Sequence, residues 1–181
     1  VFDVMIVYLV RHTSVNVPKG VCYGQTDVPL NDTFPIEAAS VKENLSNIGE
    51  DWDGVYCSPL SRCVKLAHFC GYTNALPDNR VKEMNFGEWE MQPFNEIKDP
   101  RIEEWYNDYL RVRTTGGESF EDQFNRVKEF LMEKKLSGKK KILVFAHGGV
   151  LICAKILAGM IDPKEAFSHL DNYGSVIRVE I

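Results

Sequence analysis

The chain has 181 residues, 44% of them hydrophobic and 26% charged, and a formal net charge of −5. This is ordinary composition for one globular domain large enough to bury a full core, and its acidic balance offers no global basic field to nucleic acid or an anionic membrane. No apolar stretch reaches the length of a bilayer span, and residues 1–10 lack the basic start and small-residue cleavage site of a secretory leader.

Residues 6–10 are apolar, β-branched or aromatic, stop at Arg11-His12-Thr13, and read as a buried strand. The polar loop 13–32 follows, with Pro18, Gly20, Gly24 and Pro29. Connections this long inside a compact domain are usually functional. A helix fits 35–48, with Pro35 in its first turn and Ala38, Val41, Leu45 and Ile48 as an apolar stripe. Residues 54–57 form a second strand, and Ser58-Pro59 opens a helix to about Phe69 that ends at Gly71.

Residues 81–84 suggest a third strand. Residues 85–117, rich in Trp, Tyr, Asn and acids, read as an insertion covering a crevice, with short helices near 94–97 and 102–110. Trp89 and Trp105 fit its core better than a substrate platform. Ser119 with Asp122 makes a capping start for a helix to Leu136 striped by Phe120, Phe124, Val127 and Leu131. A strand over 142–146, an apolar helix over 149–160 and a closing strand over 176–181 complete the chain. The alternation implies an α/β sandwich of three layers around a mostly parallel sheet. Five cysteines, Cys22, Cys57, Cys63, Cys70 and Cys153, contain no CxxC pair. An odd, scattered set points to reduced thiols and the cytoplasm, with Cys57 and Cys153 as core residues.

Chemistry concentrates at strand ends. If the first strand and the 142–146 strand are parallel neighbours, His12 and His147 emerge at one carboxyl edge, where open α/β sheets place their ligands. A phosphoryl group needs a nucleophile, positive donors around its oxygens and an acid for the departing alkoxide. His12 can attack phosphorus. Arg11 and Arg62 offer guanidinium forks suited to phosphate oxygens. His147 adds a ring donor beside the amides of Gly148-Gly149. Glu83 can serve as acid and base, with Glu88 and Glu90 as rivals by composition. A lone strand-end histidine is more often structural than catalytic, so the weight lies in convergence: His12, Arg62, Glu83 and His147 all fall at predicted strand ends. His68, late in a helix, and His169, at the surface or a hinge, do not.

In chain order, Leu9-Val10-Arg11-His12, residues 24–30 (GQTDVPL), Ser58-Pro59-Leu60-Ser61-Arg62, Glu83 with residues 86–90 (FGEWE), Gly117-Glu118-Ser119 and Ala146-His147-Gly148-Gly149 resemble the histidine phosphatase superfamily, which includes the phosphoglycerate mutases. Trp89-Glu90-Met91, the Trp105 to Asp108 spacing and Thr115-Gly116-Gly117-Glu118 look most like its α-ribazole phosphatases. The resemblance implies a phosphoglycerate mutase-like fold and a phosphomonoesterase that uses no metal or other cofactor. It implies that His12 becomes a phosphohistidine, that Arg11, Arg62 and His147 hold the phosphoryl group, and that Glu83 moves the proton. Gly148, Gln25, Thr26 and Asn16 are the further substrate-binding candidates. The implied substrate is α-ribazole 5′-phosphate or adenosylcobalamin 5′-phosphate, a small molecule, with no nucleic-acid or membrane partner. The chain departs from the family in having Thr13-Ser14 where glycine and glutamate are usual, and Pro18 where an asparagine is usual. Thr13, Ser14, Asn16 or loop amides are candidates to replace the lost donor. The rivals are a phosphoglycerate mutase, a broad-specificity phosphatase, a zinc hydrolase, for which there is no HExxH, and a catalytically dead phosphoester-binding module.

Overall fold

The structure is a computed structural model and describes residues 3–181. Its central strands, β1 (Ile6–Arg11) and β4 (Lys141–Ala146), pair in parallel with Arg11 beside Ala146. Their side chains alternate between two cores, as the two-residue period of a strand requires. Val7, Leu9, Ile142 and Val144 meet Phe130, Leu131, Leu151 and Ile152 on one face. Val10, Leu143 and Phe145 meet Ala38, Val41, Leu45 and Leu66 on the other. Helices therefore cover both faces: α4 (Phe120–Leu136) and α5 (Gly148–Leu157) on the first, α1 (Phe34–Ile48) and α2 (Ser61–Phe69) on the second. The result is the expected three-layer sandwich.

The sheet is completed by β2 (Gly54–Cys57), β3 (Leu76–Pro77) and β5 (Val176–Glu180), in the order β3-β2-β4-β1-β5. Only β5 runs antiparallel, against β1. The chain leaves β1 toward the α1 face and leaves β4 toward the α5 face. A crevice opens at such a switch point, beyond the carboxyl ends of the two strands. Local signals fix the helices that flank it. α1 starts on Pro35 with Glu37 in its first turn. α4 starts on a capping box in which Ser119 Oγ accepts from the Asp122 amide and the Asp122 carboxylate accepts from the Ser119 amide.

Two expectations need correction. Residues 81–84 are not a strand: residues 79–81 form a 3-10 turn, capped by Asp78, and 82–86 run irregularly past the crevice. Side chains satisfy this backbone in place of a ladder. Arg126 of α4 donates to the carbonyls of Arg80, Lys82 and Glu83, and Gln25 donates to that of Glu83. The second correction is that α2 begins at Ser61 rather than at Ser58-Pro59, because Leu60 is extended; Arg62 remains in its first turn.

Within 85–117, a turn at Phe94–Glu96 and the short helix α3 (Arg101–Asn107) surround a separate core of Cys22, Met84, Trp89, Ile97, Ile102 and Trp105. The loop 13–32 is joined to this segment through backbone bonds of Cys22 with Met91 and Gln92, and of Gly20 with Phe94. Among the described residues no helix is long and apolar enough to cross a membrane.

Candidate active site

Because Arg11 and Ala146 are register partners, His12 and His147 leave the sheet side by side, with ring centroids 5.3 Å apart. Both rings are buried. His12 Nδ1 lies 2.7 Å from the Thr13 carbonyl oxygen. A carbonyl only accepts, so Nδ1 carries the proton and Nε2 the lone pair. That Nε2 accepts from Arg62 Nε at 3.3 Å. Burial first, and then the Arg62 charge, lower the His12 pKa from 6.5 to about 3 against the opposing Thr13 bond. His147 is also driven well below its ordinary value, by burial and then by His12 and Arg62; its Nε2 is 2.8 Å from Ser58 Oγ and 3.5 Å from Cys63 Sγ. Two neutral imidazoles therefore sit among arginines.

Their titration is expected to show in stability. Each histidine has a lower pKa folded than unfolded, so below about pH 6.5 the unfolded chain binds more protons and stability falls as pH drops toward 3. One such group contributes a slope of about 1.4 kcal/mol per pH unit in that window. Urea unfolding of His12→Gln between pH 6 and 4 is expected to show a slope shallower by this amount than the native protein. An unchanged slope would mean that His12 is not held neutral.

Arg62 is fully buried and donates Nη1 to the Thr26 carbonyl at 2.8 Å and Nη2 to that of Gly24. It thus ties the loop 13–32 to His12. Glu90 closes the same loop: its Oε1 accepts from the amides of Gly24 and Thr26 and from the Thr26 hydroxyl, and its Oε2 from the Phe86 amide. The side chains of Gln25 and Thr26 are therefore occupied with Glu83 and Glu90 rather than pointing free. Ser14 is engaged by Glu37 and Asn31. Asn16 is exposed and does not line the cavity described next. Thr13 Oγ1 is buried and finds no partner among the described residues.

A cavity of about 240 Å³ opens onto His12, Arg11 and Glu83. Its walls are apolar and aromatic, with Val21, Met84, Phe86, Phe94, Phe167 and Leu170 beside Tyr23 and Tyr173, whose hydroxyls meet at 3.0 Å. Arg62 and His147 adjoin His12 but are buried, not on the wall. Glu83 is held from three sides. Its Oε1 accepts from Gln123 Nε2 at 2.8 Å and from the Met84 amide at 3.0 Å, and its Oε2 from the Gly149 amide at 3.2 Å. The glycine pair permits this approach: a Cβ on Gly149 would stand 2.3 Å from Glu83 Oε1, and one on Gly148 would stand 2.5 Å from Leu170 Cδ1 and 3.1 Å from Arg11 Nε.

Gln123 was missed in the sequence, although it left a signal: a polar side chain, 1% exposed, on the buried stripe of α4. Glu118 pairs with Arg126 and accepts from the Asn85 amide, so it braces the irregular segment that carries Glu83. Glu88 is exposed, as are His68 in the last turn of α2 and His169. Among the described residues no group of three His, Cys, Asp or Glu is placed to hold a metal ion. A neutral imidazole lone pair, guanidinium donors and a positioned carboxylate around one cavity can together form and break a bond to phosphorus.

Comparison with known proteins places the chain in a phosphatase family. The family model of the histidine phosphatase superfamily (branch 1) matches residues 7–181. The adenosylcobalamin/α-ribazole phosphatase of Escherichia coli K12 is 32% identical over 175 residues, covering 91% of this chain and 84% of that protein. Phosphoserine phosphatase 1 of Hydrogenobacter thermophilus is 29% identical over 147 residues, 77% of this chain and 69% of that one. The crystal structure of a phosphoglycerate mutase from Thermus thermophilus superposes with a TM-score of 0.77 at 27% identity, covering 97% of this chain and 92% of that chain. With a family match that runs from β1 to the end of the chain and a mutase-like sheet, this protein belongs to the histidine phosphatase superfamily, branch 1, and is a phosphoric monoester hydrolase.

Proposed function

We propose that the protein is a metal-independent phosphomonoesterase that works through a phosphohistidine on His12. The observation that carries this reading is the setting of His12: its side chain lines the cavity, its Nδ1 lies 2.7 Å from the Thr13 carbonyl oxygen, and its Nε2, the nitrogen left with the lone pair, lies beside Arg62 Nε. In the first step Arg62 Nε–H releases the His12 lone pair, Nε2 attacks phosphorus and the bond from phosphorus to the ester oxygen breaks. Glu83, which enters this step as the carboxylic acid, delivers its proton to that oxygen, so the alcohol leaves neutral and a carboxylate remains. Arg11 stabilises the charge on the other oxygens from the cavity wall, Arg62 adds its charge from behind the His12 ring, and His147 comes within reach once phosphorus is bonded to Nε2. Water then attacks phosphorus and gives a proton to the Glu83 carboxylate. The phosphorus–nitrogen bond breaks, inorganic phosphate leaves, and both side chains return to their starting states.

The walls point to the alcohol. Of the side chains lining the cavity, Arg11 and Glu83 are the ionisable pair beside His12 and the tyrosines, and Arg11 is assigned to the phosphoryl group. A leaving group with its own carboxylate, as in phosphoglycerate or phosphoserine, would meet apolar rings and Glu83. Buried without a partner, that charge is costly. A nucleoside with a flat, uncharged base would instead face Phe86, Phe94 and Phe167. α-Ribazole 5′-phosphate, or the cobamide that carries it, is such a substrate. Five free thiols fit a reducing cytoplasm.

The test is a panel of α-ribazole 5′-phosphate, phosphoserine and 3-phosphoglycerate given to purified protein with and without EDTA. Rejection of an unpaired carboxylate predicts kcat/KM at least about a hundredfold higher for the first, no 2-phosphoglycerate formed, and no effect of chelator. Preference for phosphoserine would overturn the substrate. Loss in EDTA, restored by zinc or magnesium, would overturn the mechanism.

A further inference from the structure

Lys155 and Asp171 form a mostly buried ion pair that the chemistry above does not use. Lys155, in the last turn of α5, is 8% exposed, and its Nζ is 2.7 Å from Asp171 Oδ2 and 2.8 Å from the His169 carbonyl oxygen. A lysine this buried is rare without a partner. Charge complementarity to the helix end would need only an exposed lysine, and a buried pair is weak as a source of net stability. What the pair does reach is the turn that faces Arg11.

That turn holds the guanidinium from two sides. The Asp171 carbonyl accepts from Arg11 Nη1 at 2.6 Å, and the Tyr173 ring lies 4.0 Å from the guanidinium carbon. The Gly174 amide donates to the carbonyls of Arg11 and His12 at 3.1 and 3.0 Å, which locks the turn to the end of β1. Arg11 Nε is left buried with no partner among the described residues. A buried N–H of this kind calls for an acceptor, and a phosphoryl oxygen supplies one.

We propose that Lys155 is a positioning residue for Arg11. Its pair with Asp171 fixes the path of the 169–174 turn, so that the Asp171 carbonyl and the Tyr173 ring hold the guanidinium with Nε–H free for the phosphoryl group. The inference rests on the reading that Arg11 binds that group, and one mutant cycle separates the two.

The cycle compares native protein, Arg11→Ala, Lys155→Gln and the double variant, using p-nitrophenyl phosphate as substrate and inorganic phosphate as competitive inhibitor. Misplacing a binding group by a fraction of an ångström to an ångström costs about tenfold to a hundredfold. Lys155→Gln is expected to lose that much kcat/KM and to raise the phosphate inhibition constant, with partial rescue by Lys155→Arg. In the Arg11→Ala background the same change should cost less than about twofold, because the group being positioned is gone. Asp171→Asn, on the more exposed partner, carries the same cycle if Lys155→Gln does not fold. Losses that multiply in the double variant, or a lowered melting temperature with native kcat/KM, would overturn the positioning role. Native activity in Arg11→Ala would overturn the reading of Arg11 and this inference with it.

Discussion

His12→Ala is expected to lose at least about 10⁴-fold in turnover, the scale on which removal of a nucleophile acts in covalent catalysis. The fold should survive. The ring is buried but borders the cavity, and its polar contacts are the Thr13 carbonyl and Arg62 Nε, which water entering that space can satisfy. Rapid mixing of native enzyme with labelled substrate should trap a phosphoprotein that is labile in acid and stable in base, and His12→Ala should trap none. His147 is the alternative nucleophile, 5.3 Å away, but its Nε2 meets Ser58 and Cys63 and its ring is not on the cavity wall. Label retained in His12→Ala would move the nucleophile to His147, and near-native activity would end covalent catalysis by His12.

The parts of the site legible in the sequence are those announced by an apolar run that stops. β1 and β4 are each followed directly by a histidine, and they pair as neighbours in a parallel sheet covered on both faces. Arg62 was visible for the same reason, in the first turn of the helix after β2. Where side chains from distant elements replace regular backbone pairing, the reading failed. Residues 81–84 (VKEM) are as short and mixed as a strand leading to an edge, yet what satisfies the Lys82 carbonyl is Arg126, 44 residues away. Nothing local distinguishes the two.

The three acids of this region show the same limit. Composition left Glu83, Glu88 and Glu90 as rivals and the family resemblance pointed to Glu83; geometry supplies the physical distinction, since Glu90 is consumed by loop amides, Glu88 is exposed, and Glu83 lines the cavity. The missing loop asparagine is a question of the same kind. Ser14 is taken by Glu37 and Asn16 is exposed, so of the three side chains Thr13, with its unpartnered buried hydroxyl, is the candidate to test for that donor, beside the loop amides.

Glu83→Gln should slow phosphorylation of His12 by α-ribazole 5′-phosphate by at least about a hundredfold, the contribution of a positioned general acid. The reason lies in the leaving group. A ribose alkoxide needs a proton as its bond to phosphorus breaks, whereas p-nitrophenolate leaves without one, so p-nitrophenyl phosphate should lose less than about tenfold in the same step. The amide keeps the carboxylate's shape, and its one acceptor oxygen can still take the bonds from Gln123 and the Met84 amide, while its NH2 faces the Gly149 amide and that bond is lost. The second half-reaction is hit for both substrates, since the same carboxylate takes the proton from water. The variant given p-nitrophenyl phosphate should therefore release a burst of nitrophenol close to one equivalent and then stall as phosphohistidine. Glu88→Gln should match native enzyme, as the side chain faces solvent. Glu90→Gln keeps an acceptor for the Gly24 and Thr26 amides and should weaken both substrates alike without a burst. Equal slowing of the two substrates by Glu83→Gln, or a burst in Glu88→Gln instead, would show that the proton is moved by another residue.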